Sequence, residues 1–177
     1  MYRNSCNHYQ WRNYINDNSC IHWNNQYYNY NQNNTNPYIR NIMLTDYGPR
    51  PFVVNIDQAT KQNNNYRTVL WTGEHFQLTL MSIDVGDDIG LEVHPTTDQF
   101  IRIEQGHGLV QMGDRKDNLY FHEMVSDDDV MMIPAGMWHN VTNMGNSPLK
   151  INVIYAPPEH PYGTIQETKA IAQLSNE

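Results

Sequence analysis

From residue 51 to residue 155 the chain runs through short segments in which apolar and polar residues alternate, and none keeps the period of an amphipathic helix long enough to build a bundle. The segments fall at 51–56, 68–72, 76–85, 90–94, 100–105, 108–112, 119–124, 130–134, 138–144 and 149–155. Gly, Asp and Asn separate many of them, as in Gly106-His107-Gly108 and Asp127-Asp128-Asp129. Strands this short, divided by turn chemistry, build an antiparallel sandwich or barrel, so the expected fold class is all-β. In the last segment Leu149, Ile151, Val153 and Tyr155 share one face, with Lys150 and Asn152 on the other. Ile154 breaks that alternation, which predicts cover on both faces, from a second sheet or an N-terminal arm. One short helix is expected after the strands, at 164–173, where Thr164 and Glu167 read as a capping box.

The first 37 residues are a different material: Asn and Tyr dominate and hardly any aliphatic residue follows Ile21. A segment with so little to bury cannot offset its ordering entropy, so a disordered low-complexity tail is expected at 1–37 and a folded domain at 38–177. The net charge of −8, with no concentration of Lys or Arg, argues against a nucleic-acid partner. No apolar run reaches membrane-spanning length and the N-terminus lacks a secretory apolar stretch, so no membrane partner and a cytoplasmic location are expected. Cys6 and Cys20 match no zinc or redox spacing. They read as reduced, exposed thiols, or as cross-links if the protein ends in an oxidising surface layer.

Chemistry concentrates in two stretches. Glu92 and His94 stand two apart, so in a strand both side chains leave the same face. Pro134 and Gly136 frame a turn from which the chain re-enters a strand presenting His139. Two imidazoles and one carboxylate leave coordination positions for a ligand. That suits one divalent ion (Mn, Fe, Ni or Zn) better than a closed structural site.

The same residues carry a family resemblance. Gly86, Glu92, His94, Gln99 and Gly106 follow the first motif of the cupins without a gap, and Asp128, Pro134, Gly136, His139 and Asn143 follow the second. The chain thus resembles a single-domain cupin, which implies a double-stranded β-helix, the jelly-roll barrel. Three positions depart from the family pattern: Glu92 stands where a histidine is usual, Gln99 where a glutamate is usual, and Asp128 replaces the opening glycine of the second motif. The carboxylate has changed places, and the ligand charge stays the same. The resemblance makes Gln99 the fourth member of the metal set, either as a weak neutral ligand or holding a water at the metal.

Pocket walls of Phe76, Leu78, Ile101, Ile103, Ile151 and Val153, with Tyr155 at the mouth or in the core, favour a small organic molecule over a bare ion store. Arg102 falls on the opposite face from Ile101 and Ile103, which speaks against a phosphate site. Trp138 points away from His139 as a core indole; His75, His107, His122 and His160 lie near turns or on the surface, outside the site. The leading reading is a metal-dependent enzyme acting on a small molecule. The alternatives are a non-catalytic cupin with a structural or binding role, its tail recruiting it to a spore coat or surface layer, and a sugar-phosphate isomerase of the mannose-6-phosphate type. The resemblance also implies a homodimer formed by sheet extension, for which the edge at 51–56 is the candidate.

Overall fold

The computed structural model describes residues 41–174, and it is all-β but for two short helices. The tail at 1–37, the boundary at 38, Cys6 and Cys20 lie outside the described residues. In chain order the elements are α1 (Ile56–Gln62), β1 (Arg67–Thr72), β2 (Gln77–Ile83), β3 (Asp98–Gln105), β4 (His107–Gly113), β5 (Phe121–Ser126), β6 (Val130–Ile133), β7 (Trp138–Asn143), β8 (Leu149–Ala156), β9 (Ile165–Gln166) and α2 (Lys169–Leu174). They form a six-stranded sheet, β6-β3-β8-β2-β1-β9, and a three-stranded sheet, β5-β4-β7. All the strand pairings are antiparallel.

The sheets close on one apolar core. Met81 and Ile83 from β2, Ile101 and Ile103 from β3, and Ile151 and Val153 from β8 meet Val110, Val125 and Val141 from the smaller sheet. Each fully buried aliphatic side chain contributes roughly 1.5–3 kcal/mol relative to exposure, so this interior is the main source of stability. No helix among the described residues is long and apolar enough to cross a membrane.

Both faces of β8 are covered, as the break at Ile154 predicted: the smaller sheet closes over the inner face, and among the described residues the outer face is covered from the end of α1. Lys150 and Asn152 are buried on the outer face. Lys150 Nζ donates to the Asn63 carbonyl and to Asn64 Oδ1 just past α1, and Asn152 donates to Glu104. Burial presses the Lys150 ammonium below its ordinary value.

Residues 51–55 are not a strand, and α1 begins at Ile56. Asn55 caps it by accepting from the Gln58 amide, and Asp57 pairs with Lys61 one turn on. Val53 is 92% exposed while Phe52 stacks on Tyr47, so the alternation reflects packing of single side chains against the outer face of β1 and β2. The edge proposed for dimerisation is therefore absent. The run at 90–94 is likewise no regular strand, since only a single bridge forms there. At the other end Thr164 does not cap a helix, because its hydroxyl donates to the Pro161 carbonyl. The chain first pairs with β1, and the helix starts later, at Lys169, behind Thr168, whose hydroxyl accepts from the Ile171 amide. Asp128 explains its departure from the family pattern: its φ is +70°, in the region glycine adopts freely, and Asp tolerates this better than most residues.

Candidate metal centre

Glu92 and His139 face each other across the isolated bridge. The Glu92 amide donates to the His139 carbonyl at 3.0 Å and the His139 amide returns the bond at 2.9 Å. Directly opposed residues of an antiparallel pair send their side chains to one face. His94 follows two residues on, and its carbonyl accepts from the Gly136 amide at 2.8 Å. Gly136, at φ +80°, supplies the left-handed turn that brings the second stretch alongside the first.

One ligand atom from each of Glu92, His94 and His139 lies within 4.8 Å of the others. Glu92 Oε1 approaches His94 Nε2 at 3.3 Å and His139 Nε2 at 3.5 Å. Neither contact has the geometry of a hydrogen bond, and both Nε2 atoms are buried without a partner. Their other ring nitrogens are committed: His94 Nδ1 meets Glu159 Oε1 at 3.0 Å and His139 Nδ1 meets the Met137 carbonyl at 2.9 Å. A proton held on each Nδ1 leaves the Nε2 lone pair facing Glu92, the tautomer a metal ligand requires. The donor set thus fits a divalent ion.

Burial by itself would raise the Glu92 carboxyl, yet the imidazoles of His139 and His94 outweigh it and hold the group at about 2. His94 moves the other way: burial opposes its charge, but Glu92 and Glu159 together raise it above the ordinary 6.5. Gln99 is only 4% exposed, and both atoms of its amide lack a partner. By register it stands beside Tyr155, whose ring meets His94 edge-on at 5.7 Å.

The apolar residues divide. Ile101, Ile103, Ile151, Val153 and Tyr155 line the barrel interior. Phe76 and Leu78 do not: Phe76 is 42% exposed and stacks on Trp71, and Leu78 packs in the outer cluster with Leu70 and Leu80. Met81 and Ile83 show that the odd positions of β2 face inward, so the assumed parity was off by one. Trp138 is also not core; it lies half-buried on the outer side under the Lys116 ammonium.

Two residues of this region carry no sequence signal. Glu159 and His160 sit in the loop after β8, and no spacing rule connects them to the motifs. Glu159 anchors His94 and accepts from Thr97 at 3.0 Å. His160, left outside the site from sequence because it lies near turn residues, packs edge-on against Tyr155 at 4.9 Å, and its backbone exchanges two hydrogen bonds with the Gln77 side chain. Burial, with the Arg67 charge behind it, pushes the imidazole down to about 3, so it stays neutral. Glu159→Gln keeps the shape but weakens the bond that sets the His94 tautomer. Metal affinity is expected to fall about 10–100-fold, and a competition titration against a chromogenic chelator measures it; unchanged affinity would remove Glu159 from the site.

A family profile described as a cupin domain matches residues 79–155. The chain is 65% identical over 133 residues to the uncharacterized protein YrkC of Bacillus subtilis, covering 75% of this chain and 72% of that one. It is 41% identical over 115 residues to the uncharacterized protein L612 of Acanthamoeba polyphaga mimivirus, covering 64% and 70% respectively. It is also similar to the crystal structure of BH2720 from Bacillus halodurans, at 65% identity and a TM-score of 0.73, over 73% of this chain and 98% of that one.

Proposed function

Because the chain belongs to the cupin family, we propose that it is a small-molecule enzyme in which Glu92, His94 and His139 hold one divalent ion of the Mn, Fe, Ni or Zn group. One observation carries the reading: three ligand atoms within 4.8 Å, with both histidine Nε2 atoms buried and unpartnered while both Nδ1 atoms are bonded elsewhere. A structural surface cluster has no need of that orientation. Gln99 completes the set as its neutral member. A bound ion of this kind supplies Lewis acidity toward a small anionic or hydroxylated substrate, or dioxygen chemistry if it is Fe or Mn. Glu159 and the Met137 carbonyl fix the two imidazoles, and Tyr155 and His160 pack beside them to keep water out. Protein purified without chelators or an affinity metal is expected to carry one equivalent of divalent metal by elemental analysis and to turn over a member of a panel of small acids, sugars and ureido compounds. Metal without turnover would favour the binding or structural role, and failure to take up metal would sink both.

The acid–base behaviour gives an independent check. Glu92 sits at about 2 against an ordinary 4.5, so its stabilisation is present above 4.5 and is lost as pH falls toward 2. His94 is raised, so its stabilisation is present below 6.5 and is lost as pH climbs past that value. In chelator-treated protein this pair therefore favours the folded state most between about 4.5 and 6.5. With metal bound the ion replaces the His94 proton, and the optimum is expected to move to higher pH, with protons released on uptake. Thermal melts across pH with and without Mn(II) test this; coincident optima would contradict it.

A further inference from the structure

Arg67 at the start of β1 is 3% exposed, and its side chain points into the barrel, since it stands directly opposite the core residue Met81. Among the described residues its hydrogen-bond partner is neutral, the Gln166 side-chain oxygen at 2.8 Å; the guanidinium carbon lies 5.4 Å from the Tyr66 ring, and Nε is buried without a partner. No carboxylate among the described residues pairs with it. A buried guanidinium left in that state is costly to the fold, and arginines this deep are ordinarily matched to an anion. Along the inner face of β2 from Met81, Thr79 stands opposite Val153 and Gln77 opposite Tyr155, so that face leads from Arg67 to the end of the barrel where Tyr155 meets His94.

The ground between is polar as well. Thr79, two residues from Met81 on the inner face of β2, has a buried hydroxyl without a partner, and so has His160 Nε2. Gln77, two further along, holds the His160 backbone. Arg67, Thr79 and His160 thus each keep a buried polar atom without a partner, beside an interior otherwise lined by apolar residues. Buried polar groups are nearly always bonded, so these atoms call for a partner that the described residues do not supply.

We propose that Arg67 is the anchoring residue for a small carboxylate substrate, gripping its carboxylate while a second oxygen group on the same molecule reaches the metal centre; this rests on the metal-enzyme reading above. The guanidinium fork matches the two oxygens of a carboxylate. Charge favours a monoanion: Glu92 and Glu159 offset a divalent ion, and Arg67 then leaves the interior with a single positive excess.

Calorimetric titration of lactate, with methyl lactate as the neutral control, tests this on the metal-loaded protein and on Arg67→Met, with metal content measured on the same samples. The wild type is expected to bind lactate at least about tenfold more tightly than the ester. Arg67→Met is expected to lose that preference, keep its metal, and melt no lower than the wild type without lactate, because an uncompensated buried charge has gone. Unchanged lactate affinity in Arg67→Met with metal intact, or a wild type that does not distinguish acid from ester, overturns the anchor. A wild type that takes up no metal overturns the centre instead. Should Arg67→Met fail to fold, Arg67→Lys, which keeps the charge but not the fork, is expected to bind lactate about threefold or more weakly and the ester unchanged; equal lactate affinity overturns the proposal.

Discussion

His139→Ala is expected to yield a folded protein that holds no metal, and His94→Ala the same. Each removes one of two imidazoles from a three-residue set, and the remaining Glu92 and single histidine do not enclose an ion. The loss should exceed the 10–100-fold seen when only an outer partner is removed, so metal content should fall below about a tenth of an equivalent. The fold should survive, because the bridge that positions His139 is made by backbone groups and the apolar core lies elsewhere. A penalty of about 1–3 kcal/mol for the vacated volume is the expected ceiling. Gln99→Ala should be milder, since a neutral amide adds little to the attraction for a cation. Elemental analysis beside thermal melts of the three variants checks the ranking; equal metal content in all three would contradict it.

Ile151→Ala is expected to have the largest effect on stability while leaving the ligand residues untouched. Ile151 is fully buried in β8, flanked by Met81 on β2 and Ile103 on β3, so truncation opens a void between rigid strands. The cost is expected at about 2–5 kcal/mol, a drop in melting temperature of roughly 10 °C or more for a domain of this size. Phe76→Ala is the contrast. Its ring lies outside the barrel against Trp71, so the change should stay within about 1 kcal/mol. Urea unfolding of both variants measures the difference, and comparable losses would mean that the assignment of inner and outer faces is wrong.

Residues 92, 94 and 139 were readable because the chemistry needs fixed residue types at fixed intervals, and the structure brings them together. The β fold was readable for a similar reason: alternation and turn residues are local, and eight of the ten runs coincide with strands. The two failures, at 51–56 and 90–94, are informative. An apolar-polar alternation describes side chains only, whereas a strand needs a partner for its backbone, and neither segment has a continuous one. The outer cover of β8 was inferred from the unbroken apolar character around Ile154, but its identity as α1 was not, because seven helical residues are too few for a clear period.

Phase along β2 was misjudged for another reason. Gln77, Thr79, Met81 and Ile83 mix polar and apolar residues on the inner face, while Leu78 and Leu80 lie outside beneath the segment that precedes β1. A strand buried on both sides hides which side is which. Sequence by itself determined which three side chains come together at 92, 94 and 139, the barrel class and the turn that carries His139, because these depend on residue type and on separations of a few positions. Tertiary structure alone decided that Glu159 fixes His94, that His160 and Arg67 point inward, and that Phe76 points out. Those relations join residues dozens of positions apart, and only the closure of the two sheets sets the distances between them.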